Sequence, residues 1–91
     1  MPKILVIDGY QISIWSNENG EPIHVHVSKK KPSPNSVKLW LLSNGVFVKA
    51  NAKDNRIPEN ELSKIMRKLA PQAGYIRNCW IAYHGYEKYY K

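Results

Sequence analysis

Apolar and polar positions alternate with period two through the first half of the chain. Lys3 to Ile7 opens with a β-branched apolar run, and Tyr10 to Ser16 alternates after Asp8-Gly9. Successive side chains of a strand point to opposite faces, so this spacing predicts strands. Asp-Gly between two such runs predicts a two-residue hairpin, since both positions take positive φ, and pairs Ile7 with Tyr10 and Leu5 with Ile12. A polar turn over 17–20 leads into Glu21-Pro22-Ile23-His24-Val25-His26-Val27. There Ile23, Val25 and Val27 share one face, and His24 and His26 share the other. The stretch 28–36 holds Lys29-Lys30-Lys31 and two prolines; proline fixes φ and removes a donor, so a loop is predicted. Val37 to Leu42 and Val46 to Lys49 form the next pair, joined at Asn44-Gly45. This pairing assigns Leu39, Leu41, Val46 and Val48 to one face, and Lys38, Trp40, Leu42, Phe47 and Lys49 to the other.

The period then changes. After a polar connection over 51–56, Pro58 suits a helix start, and Glu59 and Glu61 favour its positive end. Leu62, Ile65, Met66, Leu69 and Ala70 recur at helical spacing, with Lys64, Arg67 and Lys68 off that stripe. Pro71 ends this helix. Tyr75, Ile76, Cys79, Trp80 and Tyr83 mark a second one, which Gly85 closes before an aromatic, basic tail over 86–91. Strands followed by helices predict an α+β fold: a five-stranded antiparallel sheet of hairpins, then two C-terminal helices packed on one face. The expected core is Leu5, Ile7, Ile12, Ile14, Ile23, Val25, Val27, Leu39, Leu41 and Val48 from the sheet. Leu62, Ile65, Met66, Leu69, Ile76 and Trp80 close it from the helices.

Length supports one domain over residues 1–91, because a chain of 91 residues has little surface to spare for a second core. There is no long apolar run and no secretion-signal pattern, which predicts neither a membrane span nor export. Cys79 is the single cysteine, so an internal disulfide is excluded and a cytoplasmic location is expected. Fourteen Lys and Arg against seven Asp and Glu leave +7. That excess favours an anionic partner: nucleic acid, with RNA preferred, or an acidic protein.

Charge directs attention to the sheet face away from the helices. It would carry His24 and His26 with Gln11, Ser13, Trp15, Lys38, Trp40, Phe47 and Lys49. Aromatic and basic residues interleaved on one surface suit base stacking with phosphate contact, and the same face is open to burial under the last helix or a partner. The histidine pair admits three chemistries. As metal ligands the two fall short of the three protein ligands of a catalytic zinc, and His84 and Cys79 lie at other angles around their helix; neither a metal nor another cofactor is expected. As an acid–base pair, neutral and protonated imidazole suit 2′-hydroxyl deprotonation and leaving-group protonation, the chemistry of a metal-independent ribonuclease. Lys38 or Lys49 would then steady the phosphorane. In the third case both rings serve binding or structure. Candidate catalytic residues are thus His24 and His26, and candidate nucleic-acid contacts are Lys29, Lys30, Lys31, Lys38, Trp40 and Lys49. Cys79 lies in an apolar stripe, where thiols are inert.

Met1-Pro2-Lys3-Ile4 entering a hairpin, the Pro22-x-His24-x-His26 strand, Lys38-Leu39-Trp40-Leu41, a helix around Ile65 and a late Trp80 together resemble a small prokaryotic family, the domain of unknown function 4160. The resemblance covers nearly the whole chain. It implies the toxin-like half of a toxin–antitoxin-type gene pair and a small antitoxin-like protein partner. Pro22, His24 and His26 match its motif, with Trp40 and Trp80 as structural matches, whereas the lysine run and the tyrosine-rich tail do not. The alternative is a non-enzymatic module whose aromatic–basic face docks an acidic partner, with Trp15 and Trp40 as anchors.

Overall fold

The computed structural model describes residues 3–15, 20–29 and 36–91. Its strands form one antiparallel sheet in the order β1-β2-β3-β4-β5. These are β1 Lys3–Ile7, β2 Tyr10–Ser13, β3 His24–Lys29, β4 Val37–Leu41 and β5 Phe47–Lys49. Helix α1 spans Glu59–Leu69, a 3-10 turn covers Ala70–Gln72, and α2 spans Ala73–His84. The fold is therefore α+β, as strands followed by helices require. The polar turn at 17–19 and the prolines of 32–34 lie outside the described residues.

The first hairpin forms as its sequence dictates. Asp8 and Gly9 take φ of 52° and 81°, the conformation that matches strand twist in a two-residue loop, and Ile7 pairs with Tyr10 and Leu5 with Ile12. The β4–β5 hairpin differs by one residue. Leu42 N–H donates to the Val46 carbonyl, Gly45 N–H donates to the Leu42 carbonyl, and Gly45 takes φ 88°. The loop is thus the three residues Ser43-Asn44-Gly45, a turn closed by a left-handed glycine, rather than Asn44-Gly45 alone. A one-residue slip exchanges the two faces of a strand. Phe47 therefore pairs with Leu41 and Lys49 with Leu39 on the helix side, while Val48 pairs with Trp40. Phe47, not Val48, is the fully buried residue of β5.

Helix α1 buries Leu62, Ile65 and Leu69 against the sheet. Polar contacts fix its position: Tyr10 Oη donates to Glu61 at 3.1 Å, Lys68 pairs with Asp8 at 2.7 Å, and Lys49 pairs with Glu59 at 3.1 Å. Burial and then the Glu61 carboxylate push the Tyr10 hydroxyl pKa up. Pro71 does not end the helical run but sits in the first positions of the 3-10 turn, where its missing N–H is not needed. Helix α2 buries Ala73, Ile76 and Trp80 at spacings of three and four, and leaves Tyr75 and Tyr83 exposed. Gly85 at φ 79° caps it. The tail then folds back onto the sheet: Ile23 N–H donates to the Lys88 carbonyl and Ser43 N–H to the Lys91 carbonyl, both at 2.8 Å.

Candidate functional site

Strand pairing brings the histidines together with Ser13, Lys38 and Trp40. Ser13 pairs with His26 across β2–β3, and His24 pairs with Trp40 and His26 with Lys38 across β3–β4. The two imidazoles meet edge-on at 5.1 Å between ring centres. Around them the aromatics close in. Trp40 lies 5.4 Å from His24, Trp15 lies 5.0 Å from His26, and Trp80 of α2 lies 5.0 Å from His24. His84 and Tyr86 continue the cluster beyond Trp80, at 4.0 and 6.0 Å. Tyr90 of the tail stacks flat on Trp40 at 5.2 Å, and Tyr86 Oη donates to the Glu21 carbonyl at 2.6 Å.

This shell sets the exposure of each ring. His24 is 0% exposed and His26 is 8%. The Nδ1 of His24 lies 2.9 Å from the Pro22 carbonyl, an acceptor only, so Nδ1 carries the proton in the neutral ring. His26 Nδ1 faces the buried Ser36 hydroxyl at 3.1 Å. His84 Nε2 donates to the Trp15 carbonyl at 3.1 Å. Of the alternatives for this sheet face, a surface for base stacking or burial under the last helix or a partner, the structure shows burial around β3, by the chain's own C-terminal end. Trp80, Tyr86 and Tyr90 supply the cover.

The cations divide between places. Lys38 sits half-buried above the Trp40 ring at 4.3 Å and is ion-paired with Glu21, so it stands beside His26 with its charge partly neutralised. Lys49 is on the opposite face from the histidines, bonded to Glu59 and to the Asp54 carbonyl. The slipped register places it there, which corrects its assignment to the histidine face. Lys29 is exposed at the far end of β3, pairs with Tyr10 and lines a cleft of about 330 Å³ with Tyr10, Arg56 and Glu61. Lys30 and Lys31 lie outside the described residues. Arg56 is held by Asp54 through Nε at 3.0 Å and Nη2 at 2.6 Å, and that guanidinium keeps the Asp54 carboxyl below its ordinary range. Among the described residues no three His, Cys, Asp or Glu side chains converge as a metal site.

The model of a protein family described as a domain of unknown function, DUF4160, matches residues 9–80. The chain belongs to the DUF4160 family. The matched span runs from the first hairpin turn to Trp80, and so includes both histidines, Trp40 and the lysine run. Neither a search of curated proteins nor one of solved structures found a match. Two partners in this DUF4160 cluster were not legible from the sequence. Ser36 sits at the edge of a proline-rich loop, and Tyr90 belongs to a tail with no periodicity. The density of tyrosines at 86, 89 and 90 was the available signal, because a solvated tail rarely carries so many aromatic rings. No helix of the described residues is long and apolar enough to cross a membrane.

Proposed function

We propose that this DUF4160 protein is the toxin-like member of a toxin–antitoxin-type pair, working in the cytoplasm by binding nucleic acid, RNA in the first instance. In this reading β3 has two ends with different tasks. The His24-x-His26 end is a packed anchor, and the Lys29 end presents cations to phosphate. The observation that carries it is the burial of His24 at 0% exposure beside an exposed Lys29 on the same strand, in a chain of net charge +7. A ring wholly enclosed by Trp40, Trp80 and His26 cannot touch a scissile phosphate. An exposed Lys29, followed in sequence by Lys30 and Lys31, can. Phosphate contact is sequence-independent and releases counterions, which suits a chain of net charge +7.

The test is fluorescence anisotropy of a labelled 20-mer single-stranded RNA between 50 and 300 mM salt, with wild type and the triple variant Lys29→Glu, Lys30→Glu, Lys31→Glu. Losing three phosphate contacts lowers the slope of log affinity against log salt by about 2, from roughly 0.7 per contact on single strands. Lys38→Ala, whose ammonium is already paired with Glu21, has a much smaller effect. Equal slopes for wild type and the triple variant overturn the assignment.

A second reading keeps catalysis, because His26 is 8% exposed and lies between Lys38 and Ser36. There His26 acts as the acid or base on a 2′-hydroxyl and His24 positions it. Cleavage of RNA, with no cleavage of DNA of the same sequence, and its loss in His26→Gln distinguish this from binding alone.

A further inference from the structure

The apolar surface that the cluster does not cover lies elsewhere. Between α1 and β5 runs a groove of about 660 Å³, within the size range of specific binding sites. Val46, Phe47, Met66 and Ala70 make its floor and walls. Val46 is 45% exposed, although it is an aliphatic residue in a sheet protein. The rim is Asn60, Ser63, Lys64 and Arg67. Lys64 and Arg67 are both exposed, and among the described residues no carboxylate lines the groove.

Beside the groove the sheet ends. β5 is the last strand in the order, with β4 on its one side. Leu42 N–H bonds the Val46 carbonyl and Ala50 N–H bonds the Lys38 carbonyl. In an antiparallel ladder alternate residues bond to the same neighbour, so the backbones of Val46, Val48 and Ala50 face β4. Those of Phe47 and Lys49 turn the other way, but Phe47 is 1% exposed, so its main chain is covered and this strand offers no open edge for pairing. The groove itself, not the strand edge, is the accessible surface.

We propose that this groove forms the docking site for an acidic segment of the antitoxin-like partner. An aliphatic side chain of that segment fills the space between Val46 and Met66, and its carboxylates meet Lys64 and Arg67. The occupant is acidic because both charged groups on the rim are cations and the chain as a whole carries +7. The inference rests on the reading of this protein as one half of a pair, and it does not depend on whether the other surface binds RNA.

The probe is a fluorescein-labelled peptide Glu-Asp-Val-Glu-Leu-Asp-Glu, titrated with full-length protein and followed in parallel by backbone amide shifts. The proposal expects binding that moves the Val46, Lys64 and Arg67 amides. It expects affinity to fall at least tenfold in Val46→Glu and in the double variant Lys64→Glu, Arg67→Glu, both exposed positions whose replacement leaves the melting temperature in place. An all-glutamate peptide of equal length, lacking the aliphatic anchors, binds at least tenfold more weakly. Three results overturn it. One is no binding at millimolar protein. Another is equal affinity for the all-glutamate peptide, which reports charge alone. The third is displacement of the peptide by the RNA 20-mer together with loss of RNA affinity in Val46→Glu, which makes the groove a nucleic-acid surface. RNA binding measured on the same variants keeps the two readings separate: a failed peptide arm with intact RNA binding sinks the docking site only.

Discussion

Replacing His24 by alanine tests whether the imidazole is a packing unit or a surface group. The ring is completely buried, touches Trp40, Trp80 and His26, and bonds the Pro22 carbonyl through Nδ1. Large-to-small changes in a well-packed core cost about 2–5 kcal/mol, because surroundings relax only in part. Loss of the hydrogen bond adds about 1 kcal/mol or less, since Pro22 is itself only half-buried and water reaches its carbonyl. A total of about 3 kcal/mol is therefore expected, against a whole-domain stability of about 5–10 kcal/mol. For a domain of this size that lowers the melting temperature by about 12–24 °C, at 4–8 °C per kcal/mol. Thermal melts by circular dichroism with urea titrations at 25 °C give both numbers. The near-ultraviolet signal should also fall, because Trp40 and Trp80 lose their neighbour. His24→Phe supplies the control: it keeps the ring contacts and gives up the Nδ1 bond, at a cost of about 1 kcal/mol. A melting temperature for His24→Ala within about 4 °C of wild type would refute the burial argument, and with it the division of labour along β3.

Further outcomes follow from the same geometry. Gly45→Ala should cost about 1 kcal/mol, entirely from its φ of 88°, because an added Cβ meets nothing closer than Ala73 at 4.0 Å; equal urea midpoints would show that the loop is not the three-residue form. Removing residues 86–91 takes away the Tyr86 and Tyr90 contacts and the partners of Ile23 and Ser43. A loss of about 2–3 kcal/mol is expected, from two aromatic contacts and the exposed backbone donors, with faster hydrogen exchange at Ile23 and Ser43 as its local signature. Asp54 has a carboxyl pKa lowered by Arg56. Its contribution is present above the unfolded value of about 3.9 and lost as pH falls through the folded value. Asp54→Asn should therefore be less stable than wild type at pH 7, by about 1 kcal/mol for a charge-assisted pair, and the difference should shrink in urea titrations as pH falls through the lowered folded value.

Much of the fold could be read from local chemistry. Asp8-Gly9 specifies its turn because both residues adopt positive φ, and that sets the β1–β2 register from Ile7 to Leu5, before an irregularity shifts it between Leu5 and Lys3. The alternation of Ile23, Val25 and Val27 identifies the apolar face of β3 that joins the hydrophobic core, since period two admits one arrangement. Asn44-Gly45 was ambiguous, because the same dipeptide serves a two-residue loop or the end of a three-residue one. That single residue decided the faces of Phe47 and Lys49. The histidines were placed correctly on their strand, and their environment was left open between an exposed face and one covered by the last helix. Trp80 and Tyr90, which enclose them and Trp40, are far away in sequence, and no local pattern reports a contact across such a separation. An open sheet face and one covered by a returning tail have the same alternation.

The most direct measurement is growth of cells expressing three chains at equal soluble level: wild type, His24→Phe, and the Lys29→Glu, Lys30→Glu, Lys31→Glu variant. A toxin-like protein that works through the lysine end of β3 arrests growth as wild type and as His24→Phe, and not as the lysine variant. Arrest lost in a folded His24→Phe but kept by the lysine variant would contradict that division, and arrest by none of the three would contradict the toxin-like role.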